Sequence, residues 1–295
     1  MTEISLIEVY KIVDSFFKYF EGNFLVEHFA RNYYGKRGFK RYLSMKDIMA
    51  LNIYRFFMQF SNLKAFHRFA NEYLKERYPN FPNYENFLKA TNKSFPMMML
   101  FVNSVLAKNR EKCAGETIHF IDSTPVEVCK NNKILRHKVA KDCASRGKST
   151  KGWFFGFKLH GVCTADMIVE SLTFTTGSVH DSKTAQKLTK DIIGKAFADA
   201  GYQLKSEVLS EMADDGVFMH NAPGKNMNRL ISKEQLDCLK QRNIIETVWS
   251  VMKGRFELVY TKARSLKGMF RHFFYSIAAF LISQSACRQK LFIPD

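Results

Sequence analysis

From about residue 116 the chain alternates strand-like and helix-like stretches in an order that only a sheet with helices on its faces accommodates. "ETIHFIDSTPV" mixes β-branched and aromatic residues and reads as a strand that stops at the carboxylate of Asp122. "GWFFGFKLHGVCT" and "MIVESLTFTTG" follow as alternating strands, joined by a short turn around Ala165-Asp166. A helix begins near "HDSKTAQKLTKDII", where Asp181 can serve as N-cap or first-turn acid. "KAFADAGY" is a short strand ending at Asp199, "QLKSEVLSEMADDG" a helix and "VFMHNAP" a last strand; after a loop, residues 244–256 form another helix. Three strands, helix, strand, helix, strand, helix specifies an α/β fold with mixed strand pairing.

The first 110 or so residues show no strand alternation and read as helices. "LSMKDIMALNIYRFFMQF" opens on Ser44, three residues before Asp47, in a capping-box arrangement, and "SNLKAFHRFANEYLKERY" repeats the helical spacing after a polar break at Ser61-Asn62. Two short helices joined by a tight turn fit a helix-turn-helix, with Arg31, Lys36, Arg37, Lys40 and Arg41 just upstream. They fit an ordinary helical bundle equally, since the turn lacks the usual glycine. The expected division is a helical domain over 1–112, with a helix-turn-helix as its DNA-binding reading, and an α/β domain over 113–295.

Lys and Arg number 45 against 28 Asp and Glu, a net charge of +17, which in a chain 46% hydrophobic points first to a polyanionic partner. The most apolar run, "FFYSIAAFLISQSA" at 273–286, is too short for a membrane span and reads as a buried C-terminal helix. The N-terminus carries acids among its apolar residues and does not resemble a secretory signal, so a cytoplasmic protein is expected. Six scattered cysteines without a C-x-x-C pair read as reduced, packed thiols.

Within "RNIIETVWSVMKGRF", residues 242–256, Ile245, Val248, Trp249, Met252 and Phe256 recur at spacings of three and four, and Arg242, Glu246 and Lys253 share the face beside that stripe. Alone, Glu246 is accounted for by an exposed pair with Arg242 worth about 0.2–0.5 kcal/mol. Alone, Asp122 and Asp199 are turn residues after strands. Two adjacent central strands would bring these aspartates together, and a helix packed across the sheet could add Glu246. Three carboxylates at one point repel unless they hold cations, and oxygen donors without His or Cys select Mg²⁺ or Mn²⁺. Two such ions suit phosphodiester chemistry.

"FIDSTPV", "GFKLHGV", "TTGSVHDSK", "FADAGY" and "RNIIETVWSVMKGRF" resemble, in order, the successive blocks of the DDE transposases of bacterial insertion sequences, whose catalytic domain is ribonuclease H-like. The resemblance covers about residues 116–284. It implies that Asp122, Asp199 and Glu246 are the catalytic, metal-binding triad, that Mg²⁺ or Mn²⁺ is the cofactor, and that the partners are double-stranded DNA at transposon ends and target, handled by a homo-oligomer. It also implies that water cuts the strands and that 3′-hydroxyl ends are then joined to target DNA. Arg242 and Lys253 match basic positions of the signature around the Glu. One branch of the family has a Tyr three residues before the Arg; Leu239 stands here, so no role passes to that position. An inactive DNA-binding derivative, or a nuclease of the same fold that does not join strands, would share these motifs.

Residues 130–151 carry eight Lys or Arg against one acid, a solvated loop or a DNA-tracking surface, with Arg136, Lys138, Arg146 and Lys148 placed for phosphate contacts. Lys158 and His160 share a strand face by alternation, Lys158 as a further DNA contact and His160 with a structural alternative. His180 and Asp181 read as a helix cap rather than a fourth ligand, and Trp249 as core. "KARSLKGMFRHFF" adds four Lys or Arg without an acid.

Overall fold

The computed structural model describes residues 4–35, 42–150, 152–222, 231–259, 261–284 and 291–292. Six helices come first: α1 Leu6–Tyr19, α2 Phe24–Tyr34, α3 Met45–Phe57, α4 Leu63–Tyr73, α5 Tyr84–Lys93 and α6 Phe95–Lys112. Their starts follow local chemistry. Ser5 and Ser44 form capping boxes with Glu8 and Asp47, and Asn23, Asn62 and Asn83 cap α2, α4 and α5 through their side-chain oxygens. The expected α3–α4 pair is present. Lys36, Arg37, Lys40 and Arg41 lie outside the described residues.

Then come β1 Ile118–Cys129, β2 Ser145–Ser149, β3 Gly152–Thr164, β4 Val169–Thr176, α7 Ala185–Thr189, β5 Gly194–Ala198, α8 Ser206–Asp214, β6 Val217–Asn221, α9 Lys233–Gln241, α10 Asn243–Gly254 and α11 Leu266–Gln284. The six-stranded sheet runs β2-β3-β1-β5-β6, with β4 also on β3. β1 pairs antiparallel with β3 and parallel with β5, and β5 pairs parallel with β6. A mixed sheet with flanking helices, preceded by a helical region, is the expected architecture and is consistent with a ribonuclease H-like fold.

Two expectations need correction. β1 does not stop at Asp122; it runs on to Cys129 through Pro125, still paired with β3. β5 has ended by then, so one edge of β1 is open, and an open edge tolerates a residue without an N–H. The basic stretch after β1 is not all loop: it contains a 3-10 turn at Asn131–Arg136 and the edge strand β2. A third difference concerns the last sheet-covering helix, which is preceded by α9 rather than by loop alone.

The chain forms two compact units, one of residues 1–105 with 252–295 and one of residues 106–251, rather than the linear division at 112/113. In the helical unit, α11 buries Phe273, Ile277, Phe280 and Leu281, and the Tyr275 hydroxyl meets Ser94 Oγ at 2.8 Å. This is the apolar C-terminal helix expected from the sequence. Phe16, Phe101 and Phe292 pack ring against ring within 5.6 Å. In the sheet unit, Ile121, Val162, Ala196 and Ala198 form one core with α7 and α8 through Leu188 and Met212. No helix among the described residues is long and apolar enough to cross a membrane.

Candidate active site

Strand alternation sets the first two carboxylates. Ile121 and Ala198 face the α7–α8 core, so Asp122 and Asp199, one residue on, turn to the opposite face. The parallel ladder pairs Ile118 with Lys195, His119 with Ala196 and Phe120 with Phe197; Asp122 and Asp199 each lie two residues beyond the last pair. The two strands therefore carry their aspartates to the same level, although only Asp199 follows a strand end.

Helix α10 delivers the rest. Arg242, just before it, places Nη1 3.8 Å from Asp122 Oδ1 and Nη2 3.5 Å from Glu246 Oε1. One turn beyond Glu246, the Trp249 indole N–H donates to Asp122 Oδ2 at 3.1 Å. Positions 242, 246 and 249 thus follow one helix face, and both neighbours of Glu246 on that face touch Asp122. Gly161 makes this approach possible. It lies directly across from Asp122 in the β1–β3 ladder, and a Cβ there would come within 2.7 Å of the Trp249 ring. Trp249 is buried, as expected of a core residue, but it is also the hydrogen-bond donor to Asp122.

Burial pushes the Asp122 carboxyl up to about 7, against the pull of Arg242 and with Asp199 adding repulsion. A fourth acid stands close. Asp199 Oδ1 accepts from the Gly201 amide at 2.8 Å, and Asp181 Oδ2 also lies against Gly201. Burial, then the charges of Asp181, Asp122 and Asp199, raise the Tyr202 phenol well above its ordinary value. Asp181 follows a cap supplied by His180, whose ring accepts from the Ser182 amide.

The Asp181 carboxylate is anchored from β3: Lys158 Nζ donates to it at 2.8 Å and to the Val179 carbonyl at 3.0 Å. His160, on the same strand face, is fully buried, lies 3.7 Å from Asp181 and meets Thr175 Oγ1 at 2.8 Å. Burial lowers its pKa to about 4, which keeps the ring neutral. The Lys158 ammonium is thus engaged inside the unit. Arg136, Lys138, Arg146 and Lys148 are exposed, the last pair on the outer face of β2 flanking buried Gly147, and Lys148 lies 5.9 Å from the exposed Trp153 ring. Lys253, at the end of α10, is half-buried and belongs to the helical unit.

The family described as Transposase DDE domain matches residues 112–266, just over half of the chain. The chain belongs to the DDE transposase family. No curated protein and no solved structure matches it. A DDE transposase binds DNA, and members of the family generally use divalent metal ions. The donor set here suits such ions in kind: carboxylate oxygens, with neither sulfur nor imidazole at the pair. Among the described residues no three acids are close enough to hold an ion as they stand, and the Arg242 guanidinium lies between Asp122 and Glu246. The Arg242 guanidinium thus spans Asp122 and Glu246, and the Glu246 side chain is 58% exposed. Sequence reasoning missed Gly161, Trp249 as donor, and Tyr202. The signal for the first was present, since a glycine inside a strand marks a close approach.

Proposed function

We propose that this chain is the transposase of a bacterial insertion sequence, which cuts DNA at the element's ends and joins the 3′-hydroxyl ends to target DNA. Asp122, Asp199 and Glu246 are its catalytic carboxylates. The observation that carries this reading is the level placement of Asp122 and Asp199 on β1 and β5, with Glu246 on the helix face whose neighbours both touch Asp122. When bound, a pair of Mg²⁺ or Mn²⁺ ions on these three residues supplies positive charge to the reacting phosphate and eases activation of the attacking oxygen. Trp249 fixes the Asp122 carboxyl through one oxygen, and Lys158 with His160 fixes Asp181 behind the pair. Arg242, once Glu246 turns away, faces phosphate. The exposed Arg136, Lys138, Arg146 and Lys148 track the strand backbone, joined by Lys253, while helices within 1–112 read the terminal inverted repeats. The enzyme works as a homo-oligomer, because two element ends must be held together.

The test is cleavage and joining of a labelled duplex carrying the element's terminal sequence, with Mg²⁺ or Mn²⁺. Asp199→Ala and Glu246→Gln should each lower cutting by at least about 10³-fold, on the scale of losing a charged catalytic group, with duplex binding kept. Full cutting by Asp199→Ala would remove the assignment. Joined products from the wild type separate a transposase from a nuclease that only hydrolyses.

A further inference from the structure

The helical unit holds a cavity of about 510 Å³, far from neutral in its chemistry: Arg55, Lys64, Lys262, Arg264 and Arg271 all line it, and among the described residues no carboxylate does. Two helices begin on its wall. Residues 61–64 form the start of α4, capped by Asn62, and residues 263–265 lead into α11, where Ser265 accepts from the Gly268 amide. The N-termini of an 11-residue and a 19-residue helix add partial positive charge to the five cations.

Arg55 supplies an independent sign of a missing partner. It is 4% exposed, its Nη1 donates to the carbonyls of Phe60 and Ser61, and its Nε–H is buried with no acceptor. Arg271 donates to the Asn92 side chain. Burial and the proximity of Arg271 pull the Arg55 pKa down to about 9, and burial lowers that of Arg271 as well. Glu257 attracts Arg55 and partly offsets this fall, but it is not among the described residues that line the cavity, and burial raises its own pKa. A buried guanidinium such as Arg55, with the half-buried Arg271 beside it, is costly unless an anion joins it. The volume falls in the range of about 300–1,000 Å³ typical of small-ligand sites, so there is room for a phosphate with a group attached.

We propose that this cavity is a binding site for a phosphate group, presented either by a DNA strand or by a free phosphorylated small molecule. Arg55 and Arg271 meet the phosphate inside, and Lys262 and Arg264, both exposed, draw it in at the mouth. The phosphate site stands on its own geometry, whereas its use on DNA rests on the transposase reading.

The experiment uses the full chain at pH 8 and two variants, Lys262→Gln/Arg264→Gln at the mouth and Arg271→Gln inside. The first readout is the melting temperature in inorganic phosphate against chloride at equal ionic strength. Phosphate should raise it in the wild type, and the mouth variant, with an unchanged melting temperature in chloride, should lose that rise. No rise in the wild type, or an equal rise in both, overturns the site. The second readout is the salt dependence of duplex binding. A log–log slope smaller by roughly 1 in the variants, as expected when one backbone phosphate is no longer neutralised, assigns the site to DNA. An unchanged slope together with an abolished phosphate response assigns it to a free phosphorylated ligand. Asp122→Asn, which tests strand chemistry, should leave the phosphate response intact, so either reading can fail alone.

Discussion

His272 shows how much one side chain can commit a fold to a pH range. It is 8% exposed, its ring N–H donates to the Glu257 carbonyl at 2.7 Å, and burial, reinforced by the Arg55 charge, lowers its pKa to about 3. The unfolded chain takes up a proton at this residue below about pH 6.5, while the folded chain does not. Stability is therefore full above 6.5 and falls as pH drops toward 3, by about 1.4 kcal/mol per pH unit once well below 6.5. Urea midpoints measured from pH 7.5 to 4.5 should fall less steeply for His272→Gln than for the wild type. Parallel curves would mean that the ring is protonated in the fold.

At the scale of elements, the site depends on a helix lying close to a strand, and one absent side chain sets that distance. Gly161→Ala places a methyl against Trp249, Leu172 and the Ser171 carbonyl, an overpacking cost of about 1–3 kcal/mol. The displaced indole should release Asp122, so cleavage should fall by at least tenfold while duplex binding persists; unimpaired cutting would show that Trp249 does not position the carboxylate. This dependence was only half legible in the sequence. The strand end at Asp199 could be read directly, because a short apolar strand runs into it and a glycine lies two residues on. The expected strand end at Asp122 is absent, because the early end of β5 leaves β1 an edge on which Pro125 is harmless and the strand runs on. β2, "SRGKS", escaped notice because it has no apolar alternation. An edge strand needs none, and its Arg146 and Lys148 discourage pairing with a second chain. Glu246 was conspicuous in an apolar helix, and its pair with Arg242 follows from the four-residue spacing, whereas the second contact of Arg242, with Asp122, could not be read from spacing.

For the molecule as a whole, the sequence could not reveal that the chain returns to its first unit at residue 252, since neither charge nor composition changes there. The return is built on long-range packing: Ser94 with Tyr275, Phe56 with His272 at 5.0 Å between ring centroids, and Phe57 with Phe256 at 5.6 Å. A fragment of residues 1–112 would expose the faces that α11 covers, and it lacks the cavity wall from 261 to 272. Such a fragment should show no cooperative thermal transition, and the transition should appear when residues 252–295 are fused to it through a flexible linker. A sharp transition in the short fragment alone would make the N-terminal helices an independent domain.

Arg242, spanning Asp122 and Glu246, also bears on how this chain can mature. Acids brought together bare would oppose the last stage of folding, and a tethered guanidinium removes that opposition without help from solution. The strand and the helix that carry these acids can then pack with the charge already countered from within the chain.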